Sequence, residues 1–227
     1  MQRGADAPLP DDEFNSLALR VFEFQFERNT AFRRYCERRG ASPGIIDHWS
    51  HVPPVPTVAF KEIPLVAGLP ADAQLVFRTS GTTRGAARRG THYITDASLY
   101  RESLLATFRS FVLTSHARMR MFSLVPEWSD VPDSSLSYMV SAVLKELGGD
   151  GSMSFATVGG GLDVAGLDRA LQQTDEAVCV LGTSLALLHW LERSDLHLVL
   201  PSGSRIMDTG GFKGEQREIA AADLRRL

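Results

Sequence analysis

Residues 177–193 read AVCVLGTSLALLHWLER, and this stretch decides the fold class. Its first part, Ala177–Leu181, is short, apolar and rich in β-branched residues, which is typical of a buried strand. Gly182 interrupts the run, and Ser184–Arg193 follows with the length and pattern of a helix. A buried strand followed directly by a helix is the repeating unit of sheets whose strands run parallel.

The same alternation of strands and helices extends over most of the chain. Further strands are predicted at Gln74–Phe77, Met119–Val125, Ser152–Ala156 and Arg205–Asp208. Further helices are predicted at Ser135–Leu147, at Val164–Gln173, and at Asp96–Val112 with Leu99, Leu104, Phe108 and Phe111 facing inward. We therefore expect an α/β fold, with a mostly parallel sheet that carries helices on both faces.

The first 51 residues differ because their pattern is helical only. A helix is expected to begin at Asp11, with Asp11 and Asp12 as capping residues, and a second to span Thr30–Arg39 and end at Gly40. Along the first helix an apolar stripe recurs at three- and four-residue steps, and we expect it to face a core: Phe14, Leu17, Val21 and Phe24.

Pro-rich residues 52–56 (VPPVP), together with Pro64, predict an extended connector after these helices. The expected domains are thus a helical segment, 1–51, and an α/β core, 52–227. The helical pattern of residues 217–227 stops without a capping signal, so we expect this core to be truncated at its C-terminal end.

Composition excludes several classes of protein. The chain has 227 residues with 24 Lys and Arg against 27 Asp and Glu, so no basic surface for nucleic acid is expected. No apolar run approaches the roughly 20 residues of a membrane-spanning helix. Two cysteines, Cys36 and Cys179, do not form a disulfide framework, and this favours a cytoplasmic protein.

Residues 78–90, RTSGTTRGAARRG, are the strongest chemical signal. They follow the predicted strand Gln74–Phe77 and precede a predicted helix. Hydroxyl groups and glycines in such a turn can surround phosphate oxygens, and Arg84, Arg88 or Arg89 would neutralise them. The spacing matches neither a Walker A loop nor a dinucleotide fingerprint, and a solvated polar loop is an equally open interpretation.

Four stretches, in order, resemble the acyl-protein synthetase family. That family is the component of bacterial luminescence fatty-acid reductase that activates a fatty acid, and it belongs to the adenylate-forming acyl- and aryl-CoA ligase superfamily. The stretches are Val55–Glu62 (VPTVAFKE), Thr79–Ile94 (TSGTTRGAARRGTHYI), Leu124–Met139 (LVPEWSDVPDSSLSYM) and Met207–Gly214 (MDTGGFKG).

The resemblance implies that residues 52–227 form part of the large N-terminal domain of adenylate-forming enzymes. It implies that the β- and γ-phosphates of ATP lie against the loop residues Thr79, Ser80, Gly81, Thr82, Thr83 and Gly85. The superfamily's loop lysine is missing here, and Arg88 is its nearest replacement. Adenine would lie against Gly210, Gly211 and Phe212, while Lys213 would either steer a carboxylate or phosphate or point to solvent.

The implied reaction is attack of a carboxylate, which in this family belongs to a fatty acid, on the α-phosphorus of ATP with Mg²⁺. The acyl group then passes to a thiol, either a protein cysteine or coenzyme A, and a partner acyl reductase is implied as well. Neither Cys36 nor Cys179 matches the family's acyl-accepting cysteine, and the pattern assigns no catalytic residue. The family's Tyr-Gly-x-Thr-Glu-like segment and its small C-terminal domain are not found in this sequence.

Two alternatives stay open: an aryl- or acyl-CoA ligase, and a degenerate nucleotide-binding or scaffold protein without turnover. Neither nucleic acid nor a membrane is an expected partner. Among other residues, His48 and His51 lack partners at zinc spacing. Ser184 is interpreted as a helix N-cap. By the resemblance the acyl pocket lies near Trp128, Ser134 and Ser135, for which a surface loop is an equal alternative.

Overall fold

The structure is a computed structural model that describes residues 8–79, 89–114, 118–157, 159–210 and 221–224. The chain folds into two compact units, Met1–Ala106 and Thr107–Leu227. The division predicted from the sequence, into 1–51 and 52–227, stays a prediction. Within the described ranges, no helix is both long enough and apolar enough to cross a membrane.

Two consecutive helices open the first unit, α1 over Asp11–Arg28 and α2 over Thr30–Glu37. Asn29 separates them and caps α2, because its side chain accepts a hydrogen bond from the N–H of Phe32. After α2 the chain turns at Gly40, whose φ of +67° is the left-handed conformation common just beyond a helix. Both helices were predicted from the sequence.

Two expectations about α1 are wrong. Pro10 holds the N-cap position, and the predicted caps Asp11 and Asp12 lie instead in the first turn. The buried residue of α1 is Phe22, whose ring lies edge-on to that of Phe32 at 6.0 Å. Contact with α2 therefore decides which face of α1 is buried. The side chains of the predicted stripe are between 45% and 52% exposed: Phe14, Leu17, Val21 and Phe24.

A two-stranded antiparallel hairpin forms the other part of the first unit. Strand β1, Leu75–Arg78, pairs with β2, Thr91–Ile94, so that Arg78 lies opposite Thr91. The first strand was predicted, but the second was missed, and the polar loop precedes a strand rather than a helix. A one-turn helix α3, Ala59–Glu62, lies within the sequence between Pro56 and Pro64 and was also missed.

The sequence expectation for residues 96–112 is corrected in part. Helix α4, Ala97–Phe108, continues into a π-helical turn, Arg109–Leu113. A π turn adds a residue and shifts which side chains share a face. Accordingly Leu113 is buried, whereas Phe111, which was expected to face inward, is 76% exposed. Phe108 is buried as expected, but Leu99, which lies near the start of α4 and before the π turn, is 55% exposed.

The second unit contains a four-stranded parallel sheet. Its strands are β3 Arg120–Ser123, β4 Met153–Ser154, β5 Val178–Gly182 and β6 Arg205–Asp208, and their order in the sheet is β4-β3-β5-β6. The helices are α5 Ser135–Leu147, α6 Val164–Gln172 and α7 Ser184–Leu191, with a short α8 at Ala221–Leu224. The predicted α/β class is confirmed, and every residue of β5 is buried.

Alternate residues of the central strands point to opposite faces of this sheet. One face carries Phe122, Val178 and Val180, which form a core with side chains of α6 and α7 such as Leu167 and Trp190. The connection through α5 runs towards the opposite edge of the sheet, from β3 to β4. Because such crossovers are right-handed, α5 is placed on the other face.

Candidate functional site

A cavity of about 440 Å³ lies in the first unit, beside the open end of the hairpin. Two sequence segments far apart along the chain meet there, one around α3 and one at the ends of β1 and β2. Its lining residues are Thr57, Val58, Phe60, Lys61, Thr79, Gly90 and His92. Two of the four stretches that carry the family resemblance, Val55–Glu62 and Thr79–Ile94, therefore form a single site.

Thr79 closes the end of the hairpin with its backbone and its side chain. Its N–H donates to the carbonyl of Gly90 at 2.8 Å, and its Oγ1 accepts from the N–H of Gly90 at 2.8 Å. A hydroxyl that accepts one hydrogen bond keeps its own proton as a donor. Thr79 was a predicted phosphate ligand, and the structure places its side chain on the wall of the cavity.

Arg89 fastens the same end of the hairpin. Its Nε donates to the carbonyl of Thr79 at 2.7 Å, and its Nη2 donates to the carbonyl of Arg78 at 3.2 Å. The sequence offered Arg89 as one cation that would neutralise phosphate, but these contacts give it a role in holding the loop ends together. The remaining predicted loop residues lie outside the described part of the chain: Ser80, Gly81, Thr82, Thr83, Gly85 and Arg88.

Gly90 allows α3 and the hairpin to come together closely. A Cβ at this position would lie 3.3 Å from Cγ of Lys61, 3.3 Å from the carbonyl oxygen of Phe60 and 3.3 Å from Cγ2 of Thr79. The rings of Phe60 and His92 stack with centroids 4.5 Å apart. These contacts hold the base of the Lys61 side chain against the end of the hairpin.

Sequence reasoning missed Lys61 and His92 as members of a site. Both lie within quoted stretches of the resemblance, yet no spacing in the sequence brings residues 57–61 together with residues 79–92. The only signal in the sequence was that the two stretches resemble the same family. Tertiary contact between α3 and β2 supplies the rest.

In the second unit, the predicted adenine turn follows β6 at the carboxyl edge of the parallel sheet. The N–H of Gly210 donates to Oδ1 of Asp208 at 2.8 Å, and Oγ of Ser184 donates to the same oxygen at 2.8 Å. Gly210 has φ +71°, and no described atom lies within 4 Å of where its Cβ would be. The described residues do not include Lys213 or the other two predicted adenine residues, Gly211 and Phe212.

The N-cap of α7 is Thr183, not Ser184 as the sequence suggested. The Thr183 side chain accepts a hydrogen bond from the N–H of Ala186 at 3.2 Å. Ser184 is the first helical residue, and its hydroxyl is directed to Asp208 instead. The hydrogen bond between Ser184 and Asp208 joins the start of α7 to the end of β6, and so it fixes the edge of the sheet where Gly210 lies.

The segment after β3 is also held at this edge. Nε1 of Trp128 donates to the carbonyl of Pro132 at 3.0 Å, and its ring lies edge-on to that of Tyr138 at 5.0 Å. Oγ of Ser134 caps α5 by accepting from the N–H of Ser137. Trp128 and Ser134, which the resemblance placed near an acyl pocket, thus shape the loop between β3 and α5, while Ser135 is the first residue of that helix.

Both thiols are buried within the described structure. Burial raises the pKa of Cys179 to about 12, against a smaller lowering by Arg205, and it raises the pKa of Cys36 as well. Cys179 is a core residue of β5, as predicted. Elsewhere, His48 bonds Ser50, and among the described residues no three His, Cys, Asp or Glu side chains are grouped as metal ligands.

Comparison of the chain with protein-family models, with curated proteins and with solved structures found no significant match.

Proposed function

We propose that this chain activates a carboxylic acid, a fatty acid by its resemblance, as an acyl-adenylate at the expense of ATP. The acyl group then passes to a protein thiol. The observation that carries the proposal is the placement of the four resembling stretches. Two of them form the cavity of the first unit. The other two begin at the carboxyl end of β3 and at the end of β6.

The first-unit cavity is lined by residues of the types that bind phosphate oxygens. Lys61, Thr79 and His92 are among them, and Thr79 is the first residue of the Ser/Thr/Gly stretch in the sequence. Charge-assisted hydrogen bonds from such donors are among the strongest that proteins offer to phosphate. Its volume is in the range of about 300–1,000 Å³ that small-molecule sites occupy.

The carboxyl edge of the parallel sheet supports the second half of the proposal. Open α/β sheets bind ligands outside the carboxyl ends of their strands. Strands β3 and β6 are separated by β5 alone, so the segments that follow them start about 10 Å apart. Gly210 has a positive φ, and no described atom lies within 4 Å of the position that its Cβ would take, so the described residues leave its backbone accessible. Within the proposal, this sheet belongs to the large domain of an adenylate-forming enzyme.

The reaction needs little covalent chemistry from the protein. A carboxylate oxygen forms a bond to the α-phosphorus of ATP while the bond from that phosphorus to the bridging oxygen breaks, and pyrophosphate leaves. The carboxylate is already anionic, so the step needs no base. Positioning and positive charge supply the catalysis. Mg²⁺ would arrive on the ATP phosphates and offset their charge.

In the second step a thiolate attacks the acyl carbonyl, and AMP leaves. Cys36 and Cys179 are buried, so the acceptor thiol is proposed to be a protein cysteine outside the described structure. Coenzyme A is the acceptor in the alternative, an aryl- or acyl-CoA ligase. A partner acyl reductase would consume such a thioester. A cytoplasmic location belongs to the proposal because ATP and reduced thiols are both available there.

The test is carboxylate-dependent exchange of labelled pyrophosphate into ATP by the full chain. We expect exchange with long-chain fatty acids and none without a carboxylate, since only reversible adenylate formation links the two. Aryl acids in place of fatty acids, with transfer to coenzyme A, would instead support the aryl- or acyl-CoA ligase. ATP binding without exchange by any carboxylate would contradict adenylation and support the non-catalytic alternative.

A further inference from the structure

Lys61 is a positively charged residue on the wall of the first-unit cavity. Among the described residues, no carboxylate forms an ion pair with it, and its side chain is exposed on the cavity wall. The chain has only three lysines, Lys61, Lys145 and Lys213, so a lysine at this position is not a product of a lysine-rich surface.

The neighbouring arginine is already engaged, because Arg89 donates to two backbone carbonyls at the hairpin end. By the resemblance a lysine is expected in the phosphate loop, and this sequence reads Arg84-Gly-Ala-Ala at the corresponding positions. A positive charge from another element would offset that loss, and α3 brings one to the point where the loop begins.

We propose that the cavity binds the pyrophosphate end of ATP and that Lys61 is the cation that holds it, in place of the lysine that the loop lacks. The inference rests on the proposed function and names a further binding residue within it. The geometry behind it is the contact of α3 with the hairpin: the close approach at Gly90 fixes the base of Lys61 beside Thr79.

The position of Lys61 also bears on the chemical step. When the bond between the α-phosphorus and its bridging oxygen breaks, the electron pair stays on that oxygen, and negative charge increases on the departing pyrophosphate. An ammonium group bound to the terminal phosphates is attracted more strongly to this leaving group than to intact ATP. Lys61 therefore lowers the barrier as well as contributing to affinity.

The experiment compares three variants of the full chain: Lys61→Gln, Lys61→Arg and, as a matched control, Lys145→Gln on the exposed side of α5. Dissociation constants are measured by calorimetry for MgATP, for pyrophosphate and for AMP. For Lys61→Gln we expect affinity for MgATP and pyrophosphate to fall about 10- to 100-fold, because one charge-assisted contact is lost. Affinity for AMP should change less than about twofold.

Lys61→Arg keeps the charge and should recover most of the lost affinity, with an imperfect fit because the guanidinium is planar and larger. Lys145→Gln should match the unmodified chain. If Lys61→Gln lowers the affinities for MgATP, pyrophosphate and AMP equally, the effect is a general structural one and the inference is overturned. Unchanged affinities for all three would overturn it as well.

A second measurement does not depend on a folded variant. The unmodified chain is treated with acetic anhydride, and acetylation at each lysine is quantified by mass spectrometry. MgATP and pyrophosphate should protect Lys61 severalfold, while AMP should not, and Lys145 should react equally in all cases. Protection of Lys61 by AMP alone, or by none of the three, contradicts the inference.

Failure of the inference and failure of the proposed function give different results. If the unmodified chain exchanges pyrophosphate but Lys61→Gln binds MgATP normally, the role of Lys61 is wrong and adenylation stands. If MgATP protects Lys61 but no carboxylate supports exchange, the phosphate site stands and adenylation is wrong. No binding of MgATP or pyrophosphate to the unmodified chain would overturn both.

Discussion

The β3-β5-β6 sheet of the second unit and the hairpin site of the first unit are built in different ways. Strand β5 is buried at every residue and its neighbours pair with it in regular parallel register. The hairpin has two strands, and its end is held by Thr79, Arg89 and Gly90. Burial dominates the sheet, whereas a few specific polar contacts dominate the hairpin site. Substitutions in the two regions should therefore differ in size and in what they affect.

The largest effect is expected from a charge placed in the sheet. Val180→Asp puts a carboxylate in the middle of β5, at a side chain with no exposed surface. An unpaired buried charge should destabilise the native state by more than about 4 kcal/mol, so the second unit should not fold. Val199→Asp is the matched control, because Val199 is 93% exposed. Thermal unfolding checks both, and a native Tm for Val180→Asp would contradict the burial of β5.

A smaller effect is expected at Asp168, a half-buried carboxylate that bonds a buried side chain of the core. Asp168 accepts hydrogen bonds from Nε1 of Trp190 and Oγ of Ser194, each at 2.8 Å. Asp168→Ala leaves both donors without this acceptor and should cost about 3 kcal/mol in free energy of unfolding. Denaturant unfolding measures the change. The exposed Asp195→Ala should change stability by less than about 0.5 kcal/mol, and equal losses for the two variants would count against the Asp168 network.

In the hairpin the effect should be local. Thr79→Val keeps the shape of the side chain but removes the oxygen that accepts from Gly90, so the hairpin end should open more readily by about 1–2 kcal/mol. Amide hydrogen exchange at Gly90 should speed up accordingly, with little change in global stability. Thr79→Ser should restore protection. A large global loss would show that the hairpin end belongs to the cooperative core instead.

The smallest change tests the start of α7. Thr183→Ala removes the N-cap side chain and should cost about 1 kcal/mol in free energy of unfolding. Ser184→Ala leaves the cap in place and removes the hydroxyl that bonds Asp208. Its effect should be concentrated in amide exchange at Gly210, whose N–H shares the same acceptor. If Ser184→Ala costs more stability than Thr183→Ala and leaves amide exchange at Gly210 unchanged, then Ser184 and not Thr183 is the residue that caps α7.

The same difference between the two regions explains which features could be predicted from the sequence. Strand β5 and helix α5 could be predicted from local patterns, since an apolar run or an apolar stripe along a helix indicates which residues are buried. The stripe of α1 misled because its aromatic residues cover more than one face, and only contact with α2 selects Phe22. A π-helical turn leaves no clear mark in the periodicity, so Phe111 was placed inward.

Only part of the candidate site could be predicted from the sequence, for a related reason. Thr79 was found because a polar loop with glycines is recognisable by itself. Lys61 and His92 were missed because their significance arises from contact between two segments that are well separated along the chain, which no local pattern records. The resemblance named both segments without indicating that they meet.

The most direct test is a crystal structure of the full chain with Mg²⁺ and α,β-methylene-ATP, whose α–β bridge resists displacement. We predict that the terminal phosphates lie in the cavity beside α3, within hydrogen-bonding distance of Nζ of Lys61 and close to Thr79. Phosphates bound elsewhere on the protein, with this cavity holding only solvent, would contradict the central claim that it is the phosphate site of an adenylate-forming enzyme.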